Sequence, residues 1–114
     1  MKIKMLVTFL FASFILGANT TISAAPPKKA SFTVAGNCGM CKKRIEKATS
    51  GLEGVVEAVW STETKKMVVK YNADKVSVSD IKKKIASVGH DTDEFKASKE
   101  VYDKLPGCCL YDRM

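Results

Sequence analysis

The sequence predicts a small α+β domain, in which an antiparallel four-stranded sheet carries two helices on one face. Segments with the two-residue alternation of strands and segments with helical spacing follow one another in the order strand, helix, strand, strand, helix, strand. This order in a short chain is typical of an antiparallel sheet covered by helices. The 114 residues suffice for one modest core, so we expect no second domain.

The first strand and the first helix lie on either side of a turn. Residues 31–35 alternate between apolar and polar side chains, and Gly36 ends that strand. A helix is expected over residues 39–50, with Gly51 at its end. Its apolar side chains recur at helical spacing on Cys41, Ile45, Ala48 and, just beyond the helix, Leu52.

A hairpin and a second helix complete the domain. Alternating apolar side chains indicate two strands, with Val56, Ala58 and Trp60 on one and Met67, Val69 and Tyr71 on the other. The second helix begins after Ser77 or Ser79 and carries the apolar stripe Ile81, Ile85 and Val88. Residues 92–95 form a weaker last strand. The order is that of a ferredoxin-like βαββαβ sandwich over residues 31–97, followed by a less regular tail, residues 98–114.

Residues 1–25 have the composition of a secretory signal peptide. Lys2 and Lys4 begin it, an apolar run follows, and small side chains lead to a cleavage site after Ala24 or Ala25. The apolar run is shorter than the roughly 20 residues that span a bilayer, so we expect no stable membrane insertion after signal removal. The prediction is a periplasmic or secreted protein, in which residues 26–30 are a linker before the domain.

The chain is basic, with 19 Lys and Arg residues against 12 Asp and Glu residues and a formal net charge of +7. Such an excess attracts acidic partners without defining a site. Nucleic acid is not an expected partner, because the signal exports the chain and no aromatic side chains are interleaved with the basic ones.

The four cysteines form two tight pairs, Cys38 with Cys41 and Cys108 with Cys109. An even number of cysteines in an exported chain ordinarily indicates disulfides. A bridge between Cys38 and Cys41 would close a very small loop and would stabilise the fold little. The spacing therefore favours chemistry over cross-linking.

Cys38 and Cys41 lie where the first strand passes into the first helix. Unpaired backbone N–H groups and the positive end of the helix dipole favour thiolates there. Two thiolates bind soft ions, so Cu(I), Hg(II), Zn(II) and Cd(II) all fit, with Cu(I) preferred for its availability. A site with two ligands is open, which suits the transfer of an ion to another protein.

Residues 36–41, with the sequence GNCGMC, resemble the metal-binding loop of the heavy-metal-associated domain family. This family includes copper chaperones, modules of copper-exporting ATPases and periplasmic mercury-scavenging proteins. Residues 51–55 and 70–72 are also similar to family segments. The resemblance implies a protein that is not an enzyme, binds metal at Cys38 and Cys41, and exchanges it with a donor or acceptor protein. The basic surface predicts an acidic contact face on that partner, and we expect a monomer or a metal-bridged dimer.

Two positions near the loop need separate interpretation. The family usually has Met two residues before the first cysteine, packed beneath the loop, where this chain has Gly36. Met40 is expected to be an apolar filler rather than a thioether ligand. His90 follows the second helix, at a position close to the metal loop in the family. It is either an auxiliary ligand or a solvated histidine at a helix end.

The role of Cys108 and Cys109 is open. A disulfide between adjacent cysteines is strained. The pair either joins the metal site, forms a separate docking site for metal, cross-links two molecules, or exposes two thiols without a function.

Two other classes of protein are alternatives to a metal carrier. A thiol–disulfide redox protein also has Cys-x-x-Cys at the start of a helix, but Asn37 and Met40 differ from the aromatic residue and the proline favoured there. A small interaction module would have Cys38 and Cys41 locked as a disulfide. Within the metal carriers, a mercury(II)-scavenging protein is the alternative to a copper protein.

Overall fold

The computed structural model describes residues 26–114, so the signal peptide predicted over residues 1–25 lies outside the described residues. Its helices and strands, in chain order, are β1 (Lys28–Thr33), α1 (Gly39–Ser50), β2 (Val55–Trp60), β3 (Lys66–Tyr71), α2 (Val78–Ser87) and α3 (Lys99–Asp103), followed by a 3₁₀ turn over Gly107–Cys109. Within this range, no helix is both long enough and apolar enough to cross a membrane. The α+β class is as predicted.

The sheet is antiparallel and has the strand order β1-β3-β2. Met67 on the central strand is paired with Phe32 on one side and with Trp60 on the other. The helices α1 and α2 contact each other, and α1 packs against β2. The largest fully buried side chains of the core are Trp60, Ile45, Met67, Ile81 and Ile85.

The described residues contain three strands, so the predicted fourth strand at residues 92–95 is wrong. A single antiparallel bridge between Val34 and Thr92 is what remains of it. The Thr92 N–H donates to the Phe95 carbonyl, and the Thr92 hydroxyl accepts from the Phe95 N–H. These bonds close a turn and use polar groups that a strand would present to its neighbour.

Two strand boundaries also differ from the expectation. The strand β1 begins at Lys28, inside the segment predicted as a linker, because residues 28–30 pair with β3. Val56 is exposed rather than on the core face, because the register between β2 and β3 shifts between Val55 and Glu57. Such a bulge changes the face to which the following side chains point.

Helix α1 has the predicted bounds, but its third buried position is Thr49 rather than Ala48. The Thr49 hydroxyl donates to the Ile45 carbonyl, 2.8 Å away, which satisfies it in the core. Helix α2 begins after Ser77, whose side chain accepts from the Asp80 N–H while the Asp80 carboxylate accepts from the Ser77 N–H. Of the two serines that the sequence suggested as the helix cap, Ser77 is therefore the one that caps α2.

The C-terminal tail is more ordered than expected, because it binds to Asp91 of the domain. This carboxylate is fully buried and accepts two hydrogen bonds of 2.8 Å from the Arg113 guanidinium. The backbone N–H of Ala97 also donates to it, at 2.7 Å. The Tyr111 hydroxyl donates to the Gly89 carbonyl and accepts from the Asp91 N–H. These contacts hold residues 108–113 against the end of the domain that carries the first loop.

We predict that acid weakens this attachment. Burial acts to raise the pKa of Asp91, but the hydrogen bonds from Arg113 and Ala97 outweigh it and hold the pKa below its usual value. A depressed pKa gives stability that is present above the unfolded-state pKa of about 4 and is lost as the pH falls through the folded-state value. Urea unfolding at successive pH values should therefore show a steeper fall in the free energy of unfolding below about pH 4 for the wild type than for Asp91→Asn. Parallel profiles would contradict the assignment.

Candidate metal centre

Cys38 and Cys41 lie at the beginning of α1, as predicted. Cys38 is the residue before the first helical turn, and Cys41 is within that turn. Their sulfur atoms are 3.6 Å apart. The Asn37 N–H, one of the backbone donors at this helix end, points to the Cys41 sulfur at 3.4 Å. The strand-to-helix turn therefore brings both sulfurs to one place.

The tail brings Cys108 and Cys109 to the same place. The Cys38 sulfur lies 2.9 Å from the Cys108 sulfur and 3.6 Å from the Cys109 sulfur, and the last two are 3.9 Å apart. All four cysteines are free thiols. Cys108 is exposed, Cys38 is half-buried, and Cys41 and Cys109 are buried. The Cys38 sulfur thus lies within 4 Å of the other three.

The four thiols differ in their acidity. A hydrogen bond with Cys108, followed by one with the backbone of Cys41, lowers the pKa of Cys38 to about 6. Burial raises the pKa of Cys41 to about 11 and also raises the pKa of Cys109. The helix end was expected to favour a thiolate at both positions. The pKa of Cys38 is lowered, but mainly by Cys108 and only then by a backbone N–H of the helix, and the pKa of Cys41 is raised. Burial outweighs the backbone donors at Cys41.

One cation borders the sulfur cluster. The Arg44 guanidinium, one turn along α1 from Cys41, donates to the Cys109 sulfur at 3.4 Å. A positive charge next to thiolates offsets the repulsion between them. The chain therefore provides part of the charge compensation that a multi-thiolate site needs.

The loop that carries Cys38 rests on Trp60, which the sequence analysis did not assign to the site. The indole is fully buried and its N–H donates to the Val34 carbonyl at 3.0 Å. A β-carbon on Gly36 would lie 3.0 Å from the Trp60 ring and 3.2 Å from the β-carbon of Cys41. The indole therefore fills the space beneath the loop, where the family usually has Met. Two features of the sequence could have indicated this role of Trp60: Gly36 has no side chain to fill the space beneath the loop, and the chain has a single tryptophan.

Met40 is not an apolar filler, contrary to the prediction. Its side chain is 51% exposed, and its sulfur lies 3.5 Å from the Cys108 sulfur. The residue directly after Gly39 points away from the core because Cys41 occupies the buried face of the helix at this point.

His90 is fully buried, so the interpretation as a solvated histidine is wrong. Its Nδ1 lies 2.9 Å from the Ala35 carbonyl, and its ring stacks on Tyr111. Burial lowers the pKa of His90, which favours the neutral ring. A carbonyl only accepts, so Nδ1 carries the proton and Nε2 holds a lone pair. This Nε2 is buried without a hydrogen-bond partner in the described part of the chain.

Three ligand atoms form a compact set in the described residues. The sulfurs of Cys38, Cys108 and Cys109 all lie within 4.8 Å of one another. His90 does not belong to that set. The structure therefore brings the two cysteine pairs together and keeps the histidine in the adjoining core.

Comparisons with known proteins concern the domain that carries Cys38 and Cys41. The model of the heavy-metal-associated domain matches residues 31–91. The chain is 36% identical over 55 residues to the copper chaperone CopZ of Staphylococcus aureus, which covers 48% of this chain and 81% of CopZ. It is 36% identical over 64 residues to a copper-exporting P-type ATPase of Bacillus subtilis, which covers 55% of this chain but only 8% of the ATPase.

The same similarity extends to solved structures. The solution structure of the N-terminal domain of a potential copper-translocating P-type ATPase from Bacillus subtilis, in its Cu(I)-loaded state, matches with a TM-score of 0.56 and 34% identity. The match covers 58% of this chain and 84% of that domain.

We predict that a methyl group at Gly36 destabilises the loop. Gly36→Ala forces its β-carbon against the Trp60 ring, at a cost of about 1–3 kcal/mol in the free energy of unfolding. Gly39→Ala is the matched control, because no atom lies within 4 Å of a β-carbon there. Chemical denaturation of both variants measures the difference. Equal stabilities would show that Trp60 does not support the loop.

Proposed function

Since the chain belongs to the heavy-metal-associated domain family, we propose that it binds Cu(I) on Cys38 and Cys41 and passes it to another protein. The observation that carries this proposal is the pair of free thiols 3.6 Å apart at the beginning of α1. Transfer occurs by ligand exchange, in which a partner's thiolate binds the ion as one of the chain's own thiolates leaves it.

The chemistry of the pair supports a soft ion. Thiolate sulfur selects Cu(I) over hard cations. The lowered pKa of Cys38, about 6, favours its thiolate and so reduces the cost of deprotonating the first ligand. Cys41 then loses its proton to the ion, as thiols commonly do on metal binding. Copper is named in the relatives described above, which favours it over Hg(II), Zn(II) and Cd(II), although these also fit two thiolates.

The surface beside the loop supports an acidic partner. An apolar groove between α1 and α2 begins at Met40 and is bordered by the basic side chains Lys43, Arg44, Lys47 and Lys84. Cations around an apolar patch attract an acidic face and orient it on approach. A donor or acceptor protein that docks here reaches the exposed side of the sulfur cluster. The chain is expected to act as a monomer or as a metal-bridged dimer.

We also propose that transfer takes place outside the cytoplasm, because residues 1–25 have the basic start, apolar centre and small-residue end of a secretory signal. A thiol–disulfide redox function is the alternative in that compartment. The low pKa of Cys38 suits it as well, so activity in reducing insulin separates the two functions.

Replacement of both ligands should weaken copper binding. Cys38→Ser/Cys41→Ser removes the two thiolates, and titration with Cu(I) against a chromogenic chelator should show a loss of affinity of at least about tenfold. Ser50→Ala is the control, since it changes an exposed side chain at the far end of the same helix. An unchanged affinity in the double variant would contradict the proposed function.

His90 as an auxiliary ligand stays a prediction. Its Nε2 lone pair is available, since no group in the described residues bonds to it. His90→Ala in the same titration should weaken Cu(I) binding or speed its release. Unchanged affinity and release would show that His90 serves only the core, where its ring donates to the Ala35 carbonyl and stacks on Tyr111.

A further inference from the structure

The C-terminal tail presents two thiols to Cys38, and nothing in the two-ligand site requires them. Metal–sulfur bonds of about 2.3 Å place the sulfurs of a three-coordinate site about 4 Å apart. The distances from Cys109 to Cys38 and to Cys108 are 3.6 and 3.9 Å, close to that value. The 2.9 Å between Cys38 and Cys108 needs only a small outward movement of the exposed Cys108 side chain.

The tail thiols are held in place by contacts that do not involve sulfur. Arg113 binds the buried Asp91 through two hydrogen bonds, and the Tyr111 hydroxyl bonds to the Gly89 carbonyl. The Tyr102 hydroxyl donates to the Tyr111 carbonyl at 2.6 Å. Cys108 and Cys109 therefore approach the loop on a segment anchored on its C-terminal side, which is the condition for a preorganised ligand set.

The charges around the cluster fit three thiolates with one monovalent cation. Such a site carries a net charge of about −2, counting one charge for each thiolate and for Cu(I). Arg44 reaches the Cys109 sulfur from α1 and offsets part of this charge. Because Arg44 donates to Cys109, the compensating charge lies on the side of the cluster that the tail completes.

We propose that Cys38, Cys108 and Cys109 hold one Cu(I) ion as three thiolate ligands, so that the tail closes the site that Cys38 and Cys41 leave open. This rests on the proposed function, because Cys38 belongs to both ligand sets. An ion can pass from the three-thiolate set to the Cys38–Cys41 pair without leaving Cys38. In that step the bonds to the two tail sulfurs break and a bond to the Cys41 sulfur forms. The Cys41 thiol gives up one proton and each tail thiolate takes one up, so one net proton comes from solvent, and copper stays Cu(I).

The exposure of Cys108 defines where exchange begins. It is the one exposed thiol of the four, so an incoming thiolate meets it first. Displacement of the tail then converts a closed site into the open pair from which an acceptor takes the ion. We expect the tail to slow release and to raise affinity.

The test compares the reduced full chain with Cys108→Ser, Cys109→Ser and Cys38→Ser/Cys41→Ser, each titrated with Cu(I) against a chromogenic chelator. Cys108→Ser changes an exposed side chain and should leave the fold intact by circular dichroism, whereas Cys109→Ser changes a buried one. Each tail variant should lose affinity by about tenfold or more and release Cu(I) faster to the chelator. X-ray absorption should find three sulfur neighbours per copper in the wild type and fewer in Cys108→Ser.

Two results overturn different statements. Two sulfur neighbours in the wild type, with unchanged affinity in Cys108→Ser, would overturn the three-thiolate site and leave the Cys38–Cys41 carrier intact. Wild-type affinity in Cys38→Ser/Cys41→Ser would overturn the proposed function itself. Ser50→Ala, at the exposed last residue of α1, is the control and should match the wild type in affinity.

Discussion

The buried carboxylate of Asp91 determines where the last part of the chain lies. A charged group without solvent contact is costly unless it is paired, and Asp91 obtains its pairing from Arg113 and from backbone N–H groups near it. Arg113 is four residues beyond Cys109, so satisfying the carboxylate also places the tail cysteines over the first loop. The ion pair that the buried carboxylate requires therefore also positions two of the four sulfurs.

The loop beneath the cluster depends on a second fit between elements distant in sequence. Trp60 ends β2, and its indole occupies the space that a side chain on Gly36 would take. The N–H bond to the Val34 carbonyl fixes the ring at the end of β1. The cysteine loop is therefore supported by the sheet rather than by its own residues, which keeps Cys38 on the surface while Cys41 faces the core. This division also separates their acidities, because only Cys41 bears the full cost of burial.

The sequence was sufficient for the features that local chemistry determines. Helical spacing and the flanking glycines predict the bounds of α1, and the Cys-x-x-Cys spacing at its beginning predicts the paired sulfurs. The fourth strand could not be excluded from the sequence, because a short alternating segment is compatible with both a strand and the turn that the Thr92 hydroxyl closes with the Phe95 N–H. The bulge that exposes Val56 likewise depends on the pairing with β3.

The other features that sequence reasoning missed near the site are long-range. His90 is buried because Tyr111 covers it, and the tail cysteines meet Cys38 because Arg113 pairs with Asp91. No periodicity or spacing encodes contacts between residues so far apart in the chain. Similar copper proteins share only the region of the domain, so the tail and its two cysteines lie beyond what resemblance to them can interpret.

Native mass spectrometry of the protein isolated without air from its own host tests the central claim most directly. The account predicts one copper ion per chain, with all four cysteines reduced and the copper lost when Cys38 and Cys41 are replaced. A metal-free chain with Cys38 and Cys41 joined as a disulfide would contradict it.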